Sequence, residues 1–320
     1  MTLKNILWDF EALSARALQL EDVGNGAFRS VQLWTPSVSR ATYGGQLVAH
    51  CVEAAYRTVG ATNMDINSLH LKFLSPGNSE IEEPILYTVK SLRDGRSFCM
   101  RLIVATQQGR TLLTAFASFH RRERSGIQHQ ICHPFRSTSP ESTGGKYCTN
   151  KLSSIVEKLG DSSKVYVASG CECTDTAGVQ YINLMDLDFI RSESPWDVWM
   201  RMDAHGWALL QSATGIPKER LHIIVACWLS DFLVAFASLL PHGFPNTHLR
   251  VITSLDHSIY FHSPELIRVD DWFLYEVSSP WAARGRGLNH GRMYGQDGAL
   301  WMSTSQETLL RMTNGFVSKL

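Results

Sequence analysis

The chain repeats itself once. A shift of 188 positions lays Phe73-Leu74-Ser75-Pro76 on Phe261-His262-Ser263-Pro264, and Leu86-Tyr87-Thr88-Val89 on Leu274-Tyr275-Glu276-Val277. Glu82-Glu83 falls on Asp270-Asp271, Arg96 on Arg284 and Leu112 on Leu300, with a one-residue slip near Gly109 and Gly298. Two copies at so long a period mean a duplicated domain and not a solenoid, whose repeats are short and many. Each copy reads as one apolar helix followed by several strands. In the first, the helix is Gly44 to Val59. In the second it is the apolar run that carries Asp231, with Gln46 of the first copy set against Asp231 by their similar spacing to Ser68 and Ser254.

Strands follow from alternation and turns. Ile85 to Leu92 and Phe98 to Thr106 flank Arg93-Asp94-Gly95-Arg96, and Asp-Gly between alternating runs signals a hairpin. Leu112 to His120 continues the meander, which Trp272 to Ser278, Gly287 to Tyr294 and Ala299 to Gln306 repeat. The fold class is therefore α+β, with an antiparallel sheet around each helix. Boundaries fall at 1–122 for the first unit, 123–182 for a polar connecting segment and 183–320 for the second, with a short helix expected at Asn150 to Leu159.

Ile223 to Leu240 is long enough to span a bilayer. Asp231 near its middle and the lack of basic flanks argue instead for a core helix, apolar on every face because protein surrounds it. A carboxylate in that setting needs a partner or a task. Net charge is zero, with 30 basic and 30 acidic residues, which gives no footprint for nucleic acid or an anionic membrane. Seven unevenly spaced cysteines do not form a disulfide framework, and the acid-bearing start is not a secretory signal. Ser318-Lys319-Leu320 at the end is the tripeptide read by the peroxisomal import receptor, so the expected location is the peroxisomal matrix.

Tyr43-Gly44-Gly45-Gln46, Leu92 to Phe98, Leu229-Ser230-Asp231-Phe232, Leu255-Asp256-His257-Ser258, Gln296-Asp297-Gly298 and Gln306 together resemble the acyl-CoA thioesterase II family, whose eukaryotic members include peroxisomal enzymes. The resemblance runs from about Phe28 to Arg311 and implies a double hot dog, two antiparallel sheets each wrapped around a long helix. It implies a catalytic set of Asp231, Ser254 and Gln306, with Thr253 the neighbour that a one-residue shift would exchange for Ser254. It also implies an acyl-CoA substrate, no cofactor and one active centre per chain, since the first copy lacks the carboxylate. Gly45 and Gln46, at a helix start, are the candidate oxyanion donors. A homodimer is an open partner.

The chemistry is coherent. A thioester yields to aimed, deprotonated water, and a buried aspartate is a stronger base than a solvated one. Ser and Gln each offer a donor and an acceptor without adding charge. Two rivals stand beside this reading. A hot-dog enoyl-CoA hydratase would pair its Asp with a His five residues on, where this chain has Phe236. A non-catalytic acyl-CoA-binding protein would not need Asp231 at all. No Gly-x-Ser-x-Gly occurs, which disfavours a serine α/β-hydrolase. His129, Cys132 and His133, like Cys171 and Cys173, do not complete a metal site. His257 and His262, near the proposed centre, read as strand histidines more readily than as a general acid, and Arg93, Arg96, Arg121 and Arg122 read equally as contacts for the phosphates of coenzyme A or as solvated charged turn residues.

Overall fold

A computed structural model describes residues 13–36, 39–60, 63–123, 126–131, 176–177, 179–183, 196–242 and 249–313. The expected helix at 150–159, both cysteine clusters except His129, and the terminal tripeptide lie outside the described residues. Fifteen strands are present among them: β1 (Leu13–Ser14), β2 (Leu20–Gly24), β3 (Ala27–Ser30), β4 (Met64–Phe73), β5 (Leu86–Asp94), β6 (Phe98–Gln107), β7 (Arg110–Arg121) and β8 (Thr176–Ala177). The second half adds β9 (Val179–Asn183), β10 (Trp196–Met202), β11 (Leu249–Ser254), β12 (Asp256–Phe261), β13 (Phe273–Ala283), β14 (Arg286–Gly295) and β15 (Leu300–Met312). The helices are α1 (Ala15–Leu18), α2 (Gly44–Thr58), α3 (Ala204–Thr214) and α4 (Lys218–Ser230), followed by a 3-10 segment, Val234–His242.

The duplication is visible in the sheet order. One continuous sheet runs β2-β3-β5-β6-β7-β4-β12-β15-β14-β13-β10-β9, with β11 alongside β15. From the centre outward, β4, β7, β6, β5 and β3 mirror β12, β15, β14, β13 and β10. At the centre β4 and β12 pair antiparallel with His70 opposite Ser258, and His70 Nδ1 lies 3.1 Å from Ser258 Oγ. These two residues are 188 apart, the same as the repeat, so a pseudo-dyad passes between them. The expected boundary at 182/183 falls inside β9. There β9 pairs antiparallel with β10 of the second unit.

The largest departure concerns the apolar run. Instead of one helix over 223–240, α4 ends at Ser230, and Asp231 is its C-cap with φ −87° and ψ −8°. Tyr275 donates its hydroxyl to Ser230 O at 2.5 Å, occupying a carbonyl that a continuing helix would use. Val234 N then donates to Phe232 O at 2.8 Å around Leu233, whose φ is +64°. This is a γ-turn at a non-glycine residue, a rare and strained conformation. The run Lys218–His242 is long and apolar enough to cross a membrane, but 83% of its most apolar window is buried in the protein. α4 packs against α2, and the 3-10 segment beneath β13, β14 and β15. The core lies between these helices and the inner sheet face, where Leu47, Val52, Ile103, Leu113, Ile224, Phe273 and Met302 are buried.

Candidate active site

The break after Ser230 turns Asp231 sideways, toward the ends of three other elements. Gln306, on the inner face of β15 and wholly buried, donates from Nε2 to Asp231 Oδ1 at 2.8 Å. The same nitrogen donates to Ser254 Oγ at the end of β11. With its oxygen thus engaged, Ser254 turns its hydroxyl to the Asp231 carboxylate, and the Gly45 N–H at the start of α2 donates there too. Asp231, Ser254, Gln306 and Gly45 are therefore brought together. Thr253, one residue before, is exposed and apart from them. In the register of β11 on β15, Ser254 lies opposite Thr308 and Thr253 opposite Leu309.

Gln46 does not join them. Its Oε1 accepts from Trp34 N at 2.9 Å, and its Nε2 donates to Ala17 O at 2.8 Å and Gln32 O at 2.7 Å. Its backbone N–H is bound to Tyr43 O. Every donor of Gln46 is committed to holding the chain around α1 and β3, which removes it as an oxyanion donor. Its match to Asp231 fails for the same reason. Leu47-Val48-Ala49 align with Leu233-Val234-Ala235, so the residue equivalent to Asp231 is Gly45.

Burial pushes the Asp231 carboxyl up to about 6, against the pull of its Gln306, Gly45 and Ser254 donors. A base so placed is ionised at neutral pH yet far stronger than a solvated carboxylate. A Cβ on Gly44 would stand 2.7 Å from Asp231 Oδ2, and one on Gly45 only 2.3 Å from Trp228 O. The glycine pair is what lets α2 start against the carboxylate. Tyr43 donates to Trp228 O at 2.9 Å, and its phenol is raised well above its ordinary value by burial and then by the Asp231 charge. The Tyr43 phenol therefore stays neutral.

His257 supports the site from behind. It is fully buried, with Nε2 2.9 Å from Ser230 Oγ, and it lies beside Gln306. Burial lowers it to about 4, so the ring is neutral and adds no charge beside Asp231. Sequence reasoning placed His257 nearby as a strand histidine that stabilises local structure, with general acid as the alternative. Tyr275, which stops α4, was missed entirely. His262 bonds Ser303 Oγ at 2.9 Å from an exposed position and is not part of the group. Among the described residues no cluster of His, Cys, Asp or Glu could hold a metal ion.

A helix-wrapping antiparallel sheet, duplicated in one chain, with a carboxylate, serine and glutamine converging at one helix end, defines a thioesterase of the hot-dog class. Residues 31–120 match the family described as acyl-CoA thioesterase N-terminal domain, and residues 201–309 the family described as acyl-CoA thioesterase. Human acyl-coenzyme A thioesterase 8 is 30% identical over 302 residues, 94% of this chain and 89% of the relative. Acyl-CoA thioesterase 2 of Haemophilus influenzae is 30% identical over 86% of this chain and 89% of its own length. The solved acyl-CoA thioesterase II of Mycobacterium marinum superposes with a TM-score of 0.66 at 26% identity, covering 94% of this chain and 98% of that one. A hot-dog protein from Alicyclobacillus acidocaldarius, at 16% identity and a TM-score of 0.57, shares the fold. The chain belongs to the acyl-CoA thioesterase II family.

Proposed function

We propose that this chain hydrolyses acyl-CoA to the free acid and coenzyme A, with Asp231 as the base that activates water. The observation that carries the mechanism is the single Gln306 nitrogen donating to both Asp231 and Ser254. That geometry fixes a strong base and a hydroxyl on either side of one point. Water held there by Ser254 and Gln306 loses a proton to the Asp231 carboxylate as its oxygen attacks the thioester carbon. The carbonyl oxygen becomes an anion and is met by the Gly45 N–H at the start of α2, freed as Asp231 takes the proton. Collapse re-forms the carbonyl and breaks the C–S bond, and Asp231 returns its proton to the leaving thiolate. Phe236 five residues beyond Asp231 supplies no second acid, which disfavours the hydratase.

Thiol release from a panel of saturated acyl-CoAs tests the reaction, with Asp231→Asn expected to abolish it while substrate binding persists. Full turnover by the Asn variant would support the binding-protein reading instead. Ser318-Lys319-Leu320 directs the chain to the peroxisome through the import receptor, a location in keeping with a yeast relative, 24% identical, named as a peroxisomal acyl-coenzyme A thioester hydrolase. A fluorescent fusion at the N-terminus should mark peroxisomes and become diffuse when the last three residues are deleted. A second copy of the chain is the expected protein partner, with Phe98, Met100 and Phe116 exposed on the outer sheet face as a surface for it. Sedimentation of the purified protein decides that point.

A further inference from the structure

His257 stands beside the reacting group but has no part in the steps above. It is wholly buried on β12, next to the wholly buried Gln306 of β15. Ser258 lies opposite Ser305 in that strand pair, so His257 and Gln306, one step further along, are cross-strand neighbours on the inner face. The first copy has the same pair in the same place. On β4 and β7, Leu69 lies opposite Ala117, both wholly buried. Leu69 is 188 residues before His257, and Ala117 is the counterpart of Gln306 once the one-residue slip is allowed. The fold therefore needs no histidine at this position. An apolar pair fills it in the copy without a centre, and an imidazole beside an amide fills it in the copy that has one.

The Gln306 amide has one working orientation. Its Nε2 donates to Asp231 and to Ser254, and turning the amide over would set Oε1 against the Asp231 carboxylate, acceptor against acceptor. Oε1 itself has no partner among those groups, and on the imidazole beside it Nδ1 is unpaired as well. What the ring can offer depends on Ser230, whose Oγ lies 2.9 Å from His257 Nε2 and 2.7 Å from Cys227 O. Burial keeps the ring uncharged, so it has a single proton to place. If the Ser230 hydroxyl hydrogen goes to Cys227 O, the ring must donate from Nε2, and a bare Nδ1 lone pair faces Gln306 Oε1. If that hydrogen goes to Nε2, the ring proton sits on Nδ1 and faces Oε1 as a donor. We propose that His257 is a positioning residue for hydrolysis, carrying its proton on Nδ1 and holding Gln306 Oε1, so that the amide nitrogen stays on Asp231 and Ser254. The inference rests on the thioesterase reading above and adds a residue to its machinery.

Two substitutions separate the ring nitrogens. In His257→Asn the amide nitrogen stands where Nδ1 was and can still donate to Gln306. In His257→Gln the longer amide reaches Ser230 and leaves Gln306 Oε1 alone. The test is steady-state thiol release from decanoyl-CoA by the full-length protein. His257→Gln should lose about 10- to 100-fold in kcat with KM within about twofold of the parent, since a misplaced amide costs orientation and not binding. His257→Asn should keep most of the parent kcat. A packing role would lower both variants alike, and a role through Ser230 would spare the Gln variant and not the Asn. Either result overturns the proposal, as does full kcat in both. Nitrogen-15 NMR of the histidine-labelled parent should show the His257 ring protonated on Nδ1 alone at neutral pH. A ring protonated on Nε2 instead would overturn the proposal even where a variant fails to fold. No thiol from the parent would overturn the thioesterase reading itself, and the place of His257 in its machinery with it.

Discussion

Replacing Asp231 by Asn should make the protein both inactive and more stable. Burial lifts the carboxyl from an ordinary 3.8 to about 6, so the native state holds its proton more tightly than the unfolded chain does. The stability this gives is complete below about 3.8. It is lost as pH rises, because the unfolded chain ionises first, and the loss is finished once the native carboxyl has ionised above about 6. The gap between those values corresponds to about 3 kcal/mol carried as a penalty at neutral pH. Asn has no such titration, and its oxygen can still accept from Gln306. It does bring an NH2 toward the donors Gly45 and Ser254, of which Ser254 can rotate to accept. The expected gain is therefore about 2 kcal/mol at pH 8, shrinking toward pH 4.5. Urea denaturation of both proteins at pH 4.5, 6 and 8 measures it, alongside thiol release, which should fall by about 100- to 10,000-fold. An Asn variant no more stable than the parent at pH 8, with the same pH dependence, would refute the view of Asp231 as a destabilised, partly buried base.

Three further outcomes follow from the same geometry. The acid limb of kcat/KM should fall about tenfold per pH unit below about 6, where Asp231 becomes protonated, and a rate flat to pH 5 would exclude it as the base. Ser254→Ala should lose about 10- to 100-fold in kcat while Thr253→Ala stays near the parent, because only Ser254 contacts Gln306; steady-state kinetics of the pair checks this. Gly45→Ala should destabilise by about 2–3 kcal/mol in thermal denaturation, since its Cβ would press on the backbone oxygen of Trp228, which cannot turn away.

Repetition and alternation carried most of the fold, because strand register obeys the same 188-residue offset as the sequence. What they could not carry was set across the chain. The apolar run over 223–240 gives no local sign of a break, since the break is made by a hydroxyl from Tyr275 and by the turn at Leu233. Some signals were present and unread. Asn25-Gly26 joins β2 to β3 with positive φ at both residues, Asp203 caps α3 through Gly206 N, and Gly215 ends it in the left-handed region. Trp196, Val198, Met200 and Met202 alternate inward along β10. At the site, residue identities came through the family resemblance, but Gln46 shows the limit of spacing alone. The stretch from Gly45 to Ile66 is two residues shorter than that from Asp231 to Ser254, so offsets that hold for strands slip at the helices.

Residue identity, not spacing, leaves two copies with one centre. The strands keep the dyad, so each catalytic residue has a definable counterpart in the first copy. Gly45 stands for Asp231, Ile66 for Ser254 and, allowing the one-residue slip, Ala117 for Gln306. Ile66 and Ala117 are fully buried and apolar, so no carboxylate, hydroxyl or amide remains at the mirrored position. Yet the first copy is not a bystander. Its α2 begins against the Asp231 carboxylate, donates the Gly45 N–H to it, and has no Cβ at Gly44 to fill the space beside Oδ2. One unit thus supplies base, hydroxyl and amide, and the other supplies the backbone donor and the room. An isolated second unit would carry Asp231, Ser254 and Gln306 but lose that donor, and would expose the edge of β12 that pairs with β4.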